Sequence, residues 1–133
     1  MLRRALVLVA AAACALGSAA CSRSNAACEA AREDASVAAI TYHGDINRGH
    51  IATMMAASLA GEGPNGEELM QRDERRVTTA GRTQDQLRII RTALEAGELE
   101  PIPAAVETID AMGPPPGWEA ARHEIRRALA VCQ

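Results

Sequence analysis

His43, Asp45, His50, Met54 and Met55 form the densest run of metal-binding residue types in the chain. Imidazole nitrogen suits zinc, copper and haem iron, and thioether sulfur suits Cu(I) or a haem axial position. His50 and Met54 stand four apart, so a single helix would present both to one ligand. Two facts oppose a site here. Gly44 and Gly49 argue against an unbroken helix from His43, and Met at helical spacing ordinarily fills gaps in a core. The expectation is no metal and no cofactor, with His43, His50 and Met54 as the candidates of a metal- or haem-binding alternative.

Other patterns carry less chemistry. Gly61-Glu62-Gly63-Pro64-Asn65-Gly66 matches the dinucleotide glycine spacing formally, but that motif works only between a strand and a helix, and no strand precedes it. Asp45-Ile46-Asn47-Arg48-Gly49 echoes the start of a calcium loop, yet His50 and Ala56 stand where glycine and the closing glutamate are required. Glu119 and His123 are four apart on an otherwise charged helix face, which reads as solvated surface. The run Arg72-Asp73-Glu74-Arg75-Arg76 mixes signs and reads the same way. Ser36 and Ser58 sit in plain helical contexts with no elbow and no base beside them. No residue set nominates a catalytic site, so the chain is expected not to be an enzyme.

The elements that must position these residues are all helical. From Ala26 to Tyr42, Cys28, Ala31, Ala35, Ala38 and Tyr42 step by threes and fours, with Asn25 as N-cap and Gly44-Asp45 as the break. A second piece, Ile46 to Ala60, places Ile51, Met55 and Leu59 on one side with Met54 beside them. After the Gly-rich loop, Asn65 can cap a helix carrying Leu69, Met70, Asp73 and Val77, which Gly81 weakens. Thr83 and Gln86 fit a capping box that opens a helix with Leu87, Ile90 and Leu94, ending at Gly97. Pro101 and Pro103 open a segment with Val106, Ile109 and Met112, capped by Gly113. Pro114, Pro115 and Pro116 make a stiff connector. The last helix puts Trp118, Ala121, Ile125, Leu129 and Cys132 on one face. Nothing alternates with the period of a strand. The fold class is all-α, a small bundle of four or five short helices.

The amino terminus tells of address. Arg3 and Arg4 precede an apolar stretch from Ala5 to Leu16, and Ser18-Ala19-Ala20 are small. Twelve apolar residues are too few to span about 30 Å of hydrocarbon. This is the pattern of a removed signal, residues 1–20. The run Gly17-Ser18-Ala19-Ala20-Cys21 resembles the lipobox of bacterial lipoproteins, over the leader alone. The resemblance implies that Cys21 becomes the first mature residue and carries the lipid, palmitate among its acyl chains. Residues 21–27 would then be a tether and 28–133 the helical domain. Ser18 stands where leucine is commonest in that family, which leaves ordinary secretion with cleavage after Ala20 as the alternative. Ser22, in place of the aspartate that retains such proteins at the inner membrane, implies the outer membrane in a two-membrane cell. The resemblance thus places the chain on the cell membrane or outer membrane, facing periplasm or exterior.

Acylation of Cys21 leaves Cys28 and Cys132 as an even pair in an oxidising compartment, the count for one disulfide closing the bundle. A free Cys21 would leave an odd thiol. Six residues, Ser22 to Ala27, then separate anchor from staple, at most roughly 25 Å at full extension.

Composition narrows the partners. The chain has 133 residues, no Phe, one Trp, one Tyr, and fourteen Lys+Arg that are all Arg, which fits codon bias. Without Arg3 and Arg4, 12 Arg face 17 acidic residues, a net charge of −5. An acidic surface poor in aromatics lacks what nucleic-acid binding needs. Anionic head groups would repel it, so lipid and not a basic face must be the membrane contact. The functional expectation is a lipid-anchored envelope protein that acts as a non-enzymatic interaction module on an envelope protein partner.

Overall fold

Four helices follow one another: α1 (Leu2–Ala60), α2 (Gly66–Ala96), α3 (Ile102–Met112) and α4 (Trp118–Val131). The computed structural model describes the backbone of residues 2–60 and 66–133, and the side chains of residues 25–56, 58–59 and 71–133. Among the described residues there is no strand, and no helix is long and apolar enough to cross a membrane. The chain is a small all-α bundle. The Gly-rich loop with its Asn65 cap, and the side chains of residues 1–24 with Cys21 among them, lie outside the described residues.

Two expected breaks are absent. α1 runs unbroken through Gly44, Asp45 and Gly49, and α2 through Gly81 and Thr83. A glycine inside a helix costs about 1 kcal/mol relative to alanine. Ending a helix there would instead orphan up to four carbonyls before the break and four amides after it. Packing decides the matter, because Tyr42 and Ile46 bracket Gly44 on the buried face of α1 at 2% and 4% exposure. Thr83 caps nothing. It is wholly buried in mid-helix, and its hydroxyl donates to the Thr79 carbonyl at 2.8 Å.

The core lies between α1, α2, α3 and α4, at the end of the molecule that holds the disulfide. α1 contributes Ala31, Ala35, Ala39, Tyr42 and Ile46, α2 Leu87, Ile90 and Leu94, and α3 Ile102, Val106 and Ile109. α4 contributes Trp118, Ala121, Ile125 and Ala128, while Leu129 is only partly buried. The anticipated stripe of α4 is therefore shifted one residue near its end, toward the smaller side chain. Alanine removes little apolar area from water, but it lets helix axes approach closely. The Cα atoms of Cys28 and Cys132 are 4.8 Å apart, and the two sulfurs are bonded across 104 residues.

The pairings fix direction. α4 lies antiparallel to α1, with Cys132 at Cys28 and Trp118 at Tyr42. α2 is antiparallel to α1 as well: Arg32 reaches the Leu94 carbonyl, and Gln84 donates to Asn47 at 2.6 Å. The stops anticipated at Gly97 and Gly113 are present. Both glycines have positive φ, 74° and 65°, which side-chain-bearing residues rarely adopt. At Gly97 the Glu98 amide returns to the Ala93 carbonyl at 3.0 Å and the Gly97 amide to Leu94, which satisfies the last carbonyls of α2. Arg32 completes this cap by donating from Nε to the Leu94 carbonyl at 2.8 Å. A guanidinium at a helix C-terminus also meets the negative end of the helix dipole.

Candidate functional site

Beyond the core, α1 and α2 continue as a two-helix arm. Where the arm leaves the bundle, an open cleft of about 630 Å³ lies between the two helices and the proline connector. That volume is within the usual range for a ligand site.

Each wall follows from local sequence. On α1, Ile46, Gly49, His50 and Thr53 recur by threes and fours, so successive turns present them to one side. On α2, Asp73, Arg76, Thr79 and Ala80 do the same, with Arg75 at the rim. The floor is Gly113 to Pro116. Three consecutive prolines have fixed φ and no amide hydrogens, so Pro114 to Pro116 offer carbonyl oxygens and apolar rings but no backbone donor.

The floor is tied down from beneath. Tyr42 is buried, and its hydroxyl donates to the Pro115 carbonyl at 2.7 Å. Its ring lies against Trp118 with centroids 5.7 Å apart. Burial pushes the Tyr42 phenol up to about 12, so it stays a neutral donor across the physiological range. Gly117, with φ of 98°, turns the chain from the connector into α4. The Trp118 indole nitrogen donates to Asp110 at 2.7 Å, and the other oxygen of Asp110 accepts from Arg122 at 2.8 Å. One carboxylate thus binds α3 to α4 directly below the connector.

Several polar groups at the cleft are already engaged. The Thr53 hydroxyl donates to the Gly49 carbonyl at 2.9 Å, and Asp45 pairs with Arg48 one turn along. Asp73 keeps one oxygen shielded from solvent with no hydrogen-bond partner among the described residues. Arg75 and Arg76 form no ion pair among the described residues. No serine, cysteine or lysine is among the lining residues. The arrangement supplies both charge signs around an apolar floor, which are means of holding a molecule.

The residues singled out by their types are only partly brought together, since unbroken α1 keeps Met54 one turn from His50. His50 lines the cleft, whereas His43 is half-buried lower on α1 and Met54 is exposed. With α1 unbroken, His43 and His50 are two turns apart, about 10.5 Å along the axis, too far for both to bind one ion at about 2 Å. Among the described residues, no three His, Cys, Asp or Glu side chains gather as a metal would require. Glu119 pairs with Arg122 and His123 is exposed, in keeping with a solvated face. Asp45 of the calcium-like run is helical and paired with Arg48. Ile51, Met55 and Leu59, given one apolar side by their spacing, do share a face, but it is turned to solvent.

Sequence reasoning missed Asp73, Arg75 and Arg76 as cleft residues, because a mixed-charge run looks identical on any solvated helix. It missed Arg32 and Asp110 because their partners lie far off in sequence or on another element. No family model matches the chain, and no curated protein or solved structure is significantly similar to it.

Proposed function

We propose that the chain is a lipid-anchored, non-enzymatic binding module of a bacterial cell envelope, whose partner occupies the cleft between the α1–α2 arm and the proline connector. The observation that carries this reading is the cleft itself, a ligand-sized opening with charges of both signs above an apolar floor. The address rests on the lipobox resemblance at Cys21 and on the pairing of the other two mature cysteines with each other. The tether supports a position near the bilayer. Because α1 is helical throughout, Cys21 and Cys28 differ by about 10.5 Å along its axis, well inside the extended limit.

Photo-crosslinking in the native envelope tests the reading. A benzophenone residue at Thr53 or Arg76 is expected to give one discrete adduct, and the same probe at Glu107 on the outer side of α3 none. Identical adduct patterns from all three positions would refute a cleft-specific partner. The intact mass of the mature chain tests the address: a diacylglyceryl increment on Cys21 is expected, and a chain beginning at unmodified Cys21 would remove the anchor.

A further inference from the structure

α1 reverses the usual arrangement of large and small side chains. Its buried face carries Ala31, Ala35 and Ala39 beside Tyr42 and Ile46, and its other large apolar residues point outward: among them Val37 is 57% exposed, Ile40 47%, Ile51 56%, Met55 62% and Leu59 88%. With Gly44 they follow steps of three, four, seven, four and four, so they form one stripe along a helix face. The stripe is turned roughly half a circle from Ala35, Ala39 and Ile46, and so away from the core and the cleft. It extends over about 33 Å.

We infer that a second copy of the chain packs on this stripe, α1 against α1, in a parallel two-fold dimer. Three arguments select that occupant. The first is area. Four half-exposed apolar side chains and the largely exposed Leu59 offer on the order of 100 Å² each, so two copies that cover them fully remove about 1,000 Å², the threshold of a specific interface. The second is charge. The one cation within the stripe, Arg48, is already paired with Asp45 on its own helix, so the face carries no unmatched charge that would demand an oppositely charged partner. Like can meet like here. The third is shape. Gly44 lies about a third of the way along the stripe, and a Cβ built there would meet only the Arg48 guanidinium at 3.7 Å. The outward space is open, so two helices can approach closely at that point. The parallel sense rests on the proposed anchor, which gives both copies the same end toward the bilayer.

A symmetric parallel dimer places each stripe residue beside its own counterpart. Disulfide trapping in the native membrane reads this directly, with the full gene carrying single substitutions. G44C and I51C are each expected to form a reducible dimer under mild oxidation. Wild type and R88C, at an exposed position of α2, are expected to form none. Adding I51E to G44C sets like charges across the seam and should lower the trapped fraction at least about tenfold. Absence of dimer in both G44C and I51C overturns the inference, as does trapping of R88C to the same extent. Trapping only between co-expressed V37C and I51C overturns the parallel arrangement. Repeating G44C in a C21S background separates the two readings: undiminished trapping upholds the pairing even where fractionation finds the chain unanchored.

Discussion

The stapled core and the projecting arm share helices α1 and α2 and obey opposite rules. Between Cys28 and Ile46, α1 buries alanines against α2 and α4 and exposes Val37 and Ile40. Beyond Ile46, α1 turns Ile51, Met54, Met55 and Leu59 to solvent. The core is closed by a disulfide, an Arg32 cap and the Asp110 bridge. The arm's ties among the described residues are lighter, the Asn47–Gln84 contact at its base and local pairs within one helix. The lesson is that helix formation and side-chain burial are separate decisions. A long helix can be fixed by packing at one end and carry an unburied apolar face at the other.

The largest effect that would sharpen this contrast is loss of the staple. Cross-linking residues about 100 apart stabilises by up to about 4.7 kcal/mol through the entropy of the unfolded chain, against total stabilities of about 5–15 kcal/mol. Reduction, or C28A/C132A, is therefore expected to lower the thermal midpoint sharply or unfold the chain at 37 °C. A midpoint unchanged by reductant would show that the core does not depend on closure.

Overpacking gives the next effect. Ala35 is fully buried and Ala56 is exposed, so the same substitution probes both regions. A35L should cost about 1–3 kcal/mol in denaturant unfolding. A56L should lie within about 0.5 kcal/mol of wild type. Equal losses would break the distinction between core and arm.

The smallest effect concerns the floor of the cleft. Y42F removes the donor to Pro115 and should cost about 1 kcal/mol. Tyr42 is the chain's one tyrosine, so absorbance of the phenolate reports it alone. Its value is raised to about 12 from 10.0 by burial. A neutral group whose folded value is raised contributes stability that is complete below pH 10 and is lost as the pH rises toward 12. The native chain should ionise near 12 and the unfolded chain near 10, and Y42F should abolish that alkaline loss. Native ionisation near 10 would mean that the ring is not packed beneath the connector.

Much of the core was legible from spacing. Ala31, Ala35, Tyr42, Leu87, Ile90, Leu94, Val106, Ile109, Trp118, Ala121 and Ile125 all fall on faces that periodicity marks, and all are buried. Positive φ at Gly97 and Gly113 followed from the chemistry of helix ends. Little of the candidate site was legible, because a cleft is a relation between elements. His50 was notable for its type, but nothing near it in sequence announces Asp73 or Pro115.

The sequence by itself determined helical class, the apolar faces that form the core and the helix ends at Gly97 and Gly113. These depend on local sterics and on a period of 3.6, which neighbouring residues carry with them. Tertiary structure alone decided that Gly44 and Gly81 lie inside helices, that Ala128 is buried more fully than Leu129, and that Arg32 caps a helix sixty residues away. Such outcomes turn on which surfaces meet. An energy of about 1 kcal/mol at one glycine is settled by contacts from distant parts of the chain, and no local window contains them.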